Sequence, residues 1–391
     1  MTDQEHDGPS LSDDIFGSEA YEAPRPMRKE FLPWHRPRKQ FVRQRQWLEQ
    51  ISRMLDESAP AEQTLRYLGL PGVDLLDLRF FHENLCTQRG LKLRFLGFNT
   101  AANPSNEAQT ELNISLDEVR RLPGVDPQSN VIGDDVRAIA NLSSIAWKRT
   151  FDLGPYDVIN LDLCDGFGVD DPSDTGSPTY YEALNALMSL QARSKTPWLL
   201  LLTTRTGKQQ VHADVLKAFA EKYAANLAEC PPFKTASREL FKFDEVPSDA
   251  HMEAHFLPLF LCGLCKWMLN LAGRLKPPST LAIKSVVGYR IDQTAPYEDL
   301  VSVAARFEPA FTPVADAMGL AHKESPSGVD ECDFAVKAIR RIAKLANADE
   351  ILRNNSQLRA EMVEATANLL SVARYDPDAY REWVTAHDST T

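Results

Sequence analysis

The stretch Asn160-Leu161-Asp162-Leu163-Cys164-Asp165-Gly166 alternates polar groups with leucines. In an extended strand, that alternation sends Asn160, Asp162 and Cys164 to one side. An amide and a carboxylate inside an apolar strand are costly to bury unless something satisfies them. Asp162 could orient a reacting group. With Asp165 it could also hold a divalent ion, since hard cations take carboxylate oxygens. The plainer alternative is that both acids cap the loop GFGVDDPSDTGSPT that follows.

Other candidates also end apolar runs. LKLRFLGFNTA, Leu91 to Ala101, stops on Gly97-Phe98-Asn99. Either a ligand at that edge meets Asn99, or the Asn side chain caps a turn. Asp134 and Asp135 follow Val131-Ile132, where a carboxylate pair also serves as an ordinary N-cap for a helix starting near Val136. Gly69-Leu70-Pro71-Gly72 reads as a turn.

His251 and His255, four apart, and Cys262-x-x-Cys265 offer zinc-type donors. The cysteines lie in PLFLCGLCKWML, where small apolar residues of a buried helix are the simpler reading, and no metal is assigned. Thr206-Gly207-Lys208-Gln209 looks like the end of a P-loop. However, position 202 is a leucine and Gln209 is neither Ser nor Thr, so that motif is rejected. No Gly-x-Ser-x-Gly occurs.

The chain that must position these residues has 391 residues, a net charge of −12 and 43% hydrophobic residues. That suits one large domain with additions and allows a sizeable core. The negative charge argues against a surface that coats nucleic acid everywhere, but not against a local basic patch. The six cysteines, at 86, 164, 230, 262, 265 and 332, are few for this length, and the reading is reduced thiols in a cytoplasmic protein. The acidic start is no secretory signal. The runs PWLLLLTT and HFLPLFLCGLC read as too short to span a bilayer.

Residues 1–24 carry acids and no Lys or Arg and read as a disordered tail. The sign then flips. Arg25 to Leu48 is rich in Arg and Lys, interleaved with Phe31, Trp34, Phe41 and Trp47. Such an arm, Arg25 to Trp47, can hold phosphates and stack on bases. It can equally pair with the acidic tail or the acidic body. A helix is expected over Arg36–Met54.

Apolar and amphipathic stretches then alternate. Strands are expected at Thr64–Gly72, Leu91–Asn99, Ser129–Val136, Tyr156–Gly166 and Pro197–Gly207. Helices are expected at Val73–Gly90, Ser115–Gly124, Arg137–Phe151, Thr179–Ser194 and Val211–Cys230. Ser115 and Glu118 fit a capping box. An apolar helix follows over Glu253–Gly273, then two strands, Thr280–Ile291 and Asp299–Pro309, around a QTAPYE loop. From about Thr312 the chain reads as helical, with Phe334–Leu352 and Ser356–Tyr375 each as one amphipathic helix. The arrangement is an α/β, Rossmann-like, mostly parallel sheet with a C-terminal β-hairpin and a helical extension. Its parts are a tail over 1–24, an arm over 25–59, a core over 60–312 and helices over 313–391.

Five β-α units followed by a hairpin resemble the class I S-adenosylmethionine-dependent methyltransferase fold over roughly residues 60–312. In open sheets of this kind, ligands bind at the carboxyl ends of the strands. The resemblance implies cofactor contacts from Gly69 and Gly72 in a glycine turn, from Asn99 at the ribose, and from Asp134 and Asp135 at the adenine. It puts Asp162 and Asp165 at the reacting edge. The turn departs from the family pattern: the acid before it is missing, and Leu70 or Val73 stands where a second glycine belongs. Asn99 also replaces an acid. Cys230-Pro231-Pro232-Phe233 looks like the Pro-Pro-aromatic motif of DNA amino-methyltransferases, but it follows a helix rather than the fourth strand.

More loosely, FLPWHRPRKQF, RYLGLPGVDLLDLR and LKLRFLGFN make the chain similar to bacterial methyltransferase-like proteins of mobile-element or phage-defence gene clusters. Two functions follow. One is an S-adenosylmethionine-dependent methyltransferase with an atypical turn. The other is a non-catalytic scaffold that touches nucleic acid through its arm and a partner protein through its C-terminal helices.

Overall fold

The computed structural model describes residues 29–58, 60–103, 108–163, 165–245, 252–292, 297–310, 318 and 330–388. The acidic tail, Arg25 to Arg28, Cys164, His251 and most of the QTAPYE loop lie outside the described residues.

A helical rod, α1, opens at Pro37–Val42, winds as a π-helix over Arg43–Leu48 and returns to α over Glu49–Glu57. Proline at the first helical position fits, because no partner is needed there for an N–H. Strand β1 (Thr64–Gly69) leads to α2 (Leu76–Phe81, continued as a π-helical turn over His82–Thr87). Then come β2 (Lys92–Phe98), α3 (Gln109–Arg120), β3 (Asn130–Ile132), α4 (Ile145–Leu153) and β4 (Val158–Asp162). Helix α5 (Tyr180–Gln191), β5 (Trp198–Arg205), α6 (Ala213–Glu229), α7 (Pro231–Phe241) and α8 (Met252–Arg274) follow. The hairpin strands are β6 (Ser279–Tyr289) and β7 (Leu300–Pro309). The chain closes with α9 (Glu331–Ile342), β8 (Ala346–Asn347), α10 (Ala348–Asn354), α11 (Ser356–Ser371) and α12 (Pro377–Asp388).

The eight strands form one sheet in the order β3-β2-β1-β4-β5-β7-β6-β8. Strands β1 to β5 pair in parallel, and β7 is antiparallel to both β5 and β6. The sheet is therefore mostly parallel and Rossmann-like, and β6 points the same way as β1. Leu199 to Leu202 on β5 are all at most 1% exposed, as a central strand covered on both faces requires. Each such leucine contributes roughly 1.5–3 kcal/mol by leaving water.

Alternation splits the side chains between two cores. Leu68, Leu96, Ile159 and Leu200 face α5, α6 and α8. Leu65, Tyr67, Phe95 and Val158 face a layer holding Trp47 and Ile51 of α1, Phe81 of α2, and Leu370 and Tyr380 of the C-terminal helices. Arm, sheet and C-terminal helices thus share one core.

Several sequence-based expectations are corrected. Ser115 caps nothing: α3 starts six residues earlier, through the helix formers of Gln109-Thr110-Glu111-Leu112, and Ser115 is buried inside it. The helix expected over Arg137–Phe151 breaks at Asn141, and Ser144 caps a fresh start by accepting from the Trp147 N–H at 2.9 Å. The helix expected over Phe334–Leu352 is cut by β8, which adds a strand beside β6. HFLPLFLCGLC, read as too short to span a bilayer, is only part of the apolar helix expected over Glu253–Gly273. Its segment His255–Arg274 is long and apolar enough to cross a bilayer, although it is mostly buried within the fold. Lys266 fits there because Asn226 accepts from it at 2.6 Å. Cys230 and Cys332 are disulfide-bonded, which departs from the reading of all-reduced thiols. Cys86, Cys262 and Cys265 are free and buried.

Candidate functional site

The strand tips do converge, and their loops close on one another. Gly97 on β2 lies against the Pro71 ring, where a Cβ would come within 2.8 Å of it. Asn99 completes that closure: its Nδ2 donates to the Pro71 carbonyl at 2.8 Å, and its Oδ1 accepts from the Ala101 N–H at 2.7 Å. The glycine turn and Asn99 are therefore brought together, by direct contact. Gly133 after β3 abuts the Ala102–Asn103 backbone in the same way. Of the turn glycines, Gly69 is buried against the Tyr67 ring, and Gly72 is exposed with open space beside it.

At the β3 tip, Asp134 accepts from the Asp135 N–H at 2.9 Å. Asp135 caps the next helical turn through the Arg137 N–H and grips the Arg137 guanidinium, which holds its carboxyl below the usual range despite burial. Arg137 also reaches Asp170 at 3.0 Å and lies 4.8 Å over the Tyr180 ring. Asp165 is exposed near Tyr180. The N-cap role read from the sequence is thus the one Asp135 fills.

The β4 edge holds the most tightly built polar group. Asn160 and Asp162 point to the face covered by α1. Buried Asn160 donates to the Tyr67 hydroxyl at 2.9 Å, and its Oδ1 has no hydrogen-bond partner among the described residues. The Asp162 carboxylate is bridged by Lys39 Nζ, at 2.5 and 2.6 Å. Lys39 is buried and sits 4.6 Å over the Trp47 ring. Burial opposes its charge, yet the carboxylates of Asp162 and Asp77 outweigh that and hold the ammonium above its ordinary value. Trp47 Nε1 and Gln46 Nε2 fix the arm on Ser302 of β7, at 3.1 and 2.8 Å. The alternation on β4 signalled that a partner was needed. Nothing in the sequence pointed to Lys39, 123 residues away.

The rest of the arm is engaged likewise. Lys29 pairs with Asp74 and Glu111, Arg43 with Asp77, and Arg38 with Asp349. Phe31 packs on Tyr375, Tyr380 and Trp383. Trp34, 53% exposed, is the arm's outward aromatic.

The donors first considered for zinc do not form a ligand set among the described residues. Burial pushes the Cys265 thiol up to about 12 and raises Cys262 well above its ordinary value, which disfavours thiolates. His255 packs on Phe243. Asp171, on the loop after β4, and His212 and Asp214, at the start of α6, do bring three ligand-type atoms within 4.8 Å of one another. Two open cavities lie elsewhere. One, of about 570 Å³, separates β6 from α9. The other, of about 660 Å³, lies beyond the end of β6 and is lined by Arg36, Arg38, Arg290, Arg353 and Arg359.

Residues 28–385 match the PP_RS20740-like family. The chain belongs to that family. The match takes in arm, sheet and C-terminal helices together, in keeping with their common core. No curated protein matches the sequence.

Proposed function

We propose that this chain is a methyltransferase-like scaffold that works by binding, with the reacting edge of its sheet closed by its own arm. The observation that carries this reading is the ion pair of Lys39 with Asp162. A methyl acceptor at that edge would have to displace a buried cation, and opening such a pair typically costs several kcal/mol. The use of both Asn99 amide atoms within the protein supports the same reading.

Among the described residues of the arm, nucleic-acid contact falls chiefly to exposed Trp34 and to Arg45, whose pair with Glu361 lies at the surface, because Lys29, Arg38, Lys39 and Arg43 are held in buried internal pairs. A partner protein on the C-terminal helices would meet their polar outer faces, since their apolar faces lie in the core. A cytoplasmic setting and a place in phage defence belong to this proposal.

A second reading, an S-adenosylmethionine-dependent methyltransferase, is favoured by five parallel strands followed by the β6–β7 hairpin, the arrangement the resemblance implies. Its cofactor would meet Gly69, Gly72, Asn99, Asp134 and Asp135, with Asp162 and Asp165 at the acceptor. Calorimetry with S-adenosylmethionine and S-adenosylhomocysteine separates the two. The scaffold reading expects no heat at millimolar ligand. Saturable binding that Asp134→Ala or Asn99→Ala abolishes would replace it with the enzyme.

A further inference from the structure

We propose that the open edge of β6, together with α9, takes up an extended acidic segment of a partner protein as an added strand. The groove lies at the amino end of β6, away from the crevice at the tips of β1 to β4. Only the expectation of a partner protein comes from the scaffold reading, and a positive or negative result with methyl donors leaves the groove untouched.

The sheet ends at β6 and β8, but β8 covers only Val287 and Gly288 of β6. Among the described residues, Ser279 to Ile283 therefore pair on one side alone, with β7. The register fixes which backbone groups are left over. The Ala310 N–H donates to the Pro278 carbonyl at 2.8 Å, and the pairing continues with Thr280 opposite Glu308 and Ala282 opposite Arg306. Antiparallel bonding alternates, so Thr280 and Ala282 bond to β7, while Ser279, Leu281 and Ile283 turn their N–H and C=O to the open side. Such a row is a template for one more strand. It runs for about 17 Å, at roughly 3.4 Å per residue. Beside it lies α9: Leu281 and Ile283 share a core with Phe334 and Ala338, and a cavity of about 570 Å³ opens between the two elements.

The lining selects the occupant. Lys337, Arg340 and Arg341 of α9, Lys344 just past its end, and Lys284 at a bulge in β6 stand against two acids, Asp330 and Asp333. Both acids are engaged. Asp330 caps α9 by accepting from the Cys332 and Asp333 N–H groups, and Asp333 pairs with Lys337 at 2.7 Å. Lys284, Arg340, Arg341 and Lys344 make no ion pair among the described residues, and the last three are exposed. They form a positive row on a chain whose net charge is −12.

A second copy of the chain would bring this row against itself, and like charges across paired strands repel. An acidic strand is drawn in instead. In an added strand every second side chain falls on the α9 side. Carboxylates at alternate positions then meet the cations while the backbone bonds the edge. In this mode main-chain bonds give affinity and alternate side chains give specificity.

The test uses the full chain and three ten-residue peptides. One alternates glutamate with valine, one alternates lysine with valine, and one is the glutamate peptide with every amide N-methylated, which keeps the charge and cannot donate. Fluorescence anisotropy at low salt should show the glutamate peptide binding at least tenfold more tightly than either control. At saturation it should slow hydrogen exchange at the Leu281 and Ile283 amides at least tenfold. Arg340→Glu with Lys344→Glu should weaken it at least tenfold, with the melting temperature of the free protein unchanged. Should that variant unfold, Arg341→Glu serves instead and should weaken it several-fold. Four outcomes overturn the proposal: no binding at millimolar peptide, equal binding of either control, unchanged binding by folded variants, or Leu281 and Ile283 amides already protected in the free chain, whether by a second copy seen in sedimentation or by the chain itself.

Discussion

At the tips of β1, β2 and β4 polar side chains face other protein groups, whereas beyond β6 and β8 they line an open cavity. Both regions lie on the same carboxyl edge of one sheet, and both are roofed by α1. At β4 the arm brings one cation to one carboxylate and adds Trp47 and Gln46 as anchors. Beyond β6 the same arm brings two arginines to three others, and the nearest carboxylate is shared by Arg38 and the Arg290 backbone. A matched pair in a buried setting holds the fold together. Around the open cavity the arginines stay within reach of solvent, which screens their charges.

The comparison can be broken most sharply at Lys39. Lys39→Ala leaves Asp162 in a covered site without its cation, and stability should fall by about 3–5 kcal/mol in urea titrations. The double change Lys39→Met with Asp162→Asn should cost less than the single one. A single-variant loss below about 1 kcal/mol would make the closure incidental.

Acid should loosen the arm next. His35 is fully buried, its Nδ1 accepts from the Leu32 N–H, and its carbonyl accepts from the Tyr380 hydroxyl. Burial lowers its pKa from 6.5 to about 4. In that window the unfolded chain takes up a proton that the folded chain refuses, so this contribution is intact above pH 6.5 and shrinks as pH falls toward 4. From pH 6.5 to 5 the loss is about 1.6 kcal/mol. Asp157, pushed up to about 6 by burial, acts in the opposite sense over the same range. The quantity to measure is therefore wild type minus His35→Gln, in which Asp157 cancels. A difference that does not change with pH would remove His35 from the account.

Asn99→Ala should cost about 1–2 kcal/mol through two lost hydrogen bonds, read as a shift in the denaturation midpoint. Unchanged stability would return Asn99 to the ligand. The smallest effect belongs to the open region. Arg353 is exposed on α10, and Arg353→Ala should change stability by no more than about 0.5 kcal/mol in either direction. A large loss there would mean that the arginines brace the fold, and would erase the contrast.

Much of the architecture was legible because it rests on short-range rules. Unbroken leucines marked β5 as central, and polar alternation marked β4 as the strand needing a partner. Glycine and asparagine marked the tips, and all five parallel strands fell where the pattern put them. What failed was also local in form. Ser115 had the right spacing for a cap, but the residues before it were good helix formers and the helix simply began sooner. The amphipathic run over Phe334–Leu352 concealed a two-residue strand, because pairing with β6 outweighed helix propensity at Ala346-Asn347.

The candidate sites divide along the same line. The Asp135 cap joins neighbours in sequence and could be read directly. Lys39 with Asp162, and Arg36 with Arg290 and Arg359, are joined only by the folded chain, and no periodicity encodes which cation reaches which edge. The sequence by itself determined strand and helix types, the polar oddity on β4 and the basic character of the arm, because each depends on residues a few positions apart. Only the tertiary structure decided that one arm cation is buried on a carboxylate while another is left facing like charges across a cavity. That choice depends on distances between segments more than a hundred residues apart, which packing alone sets.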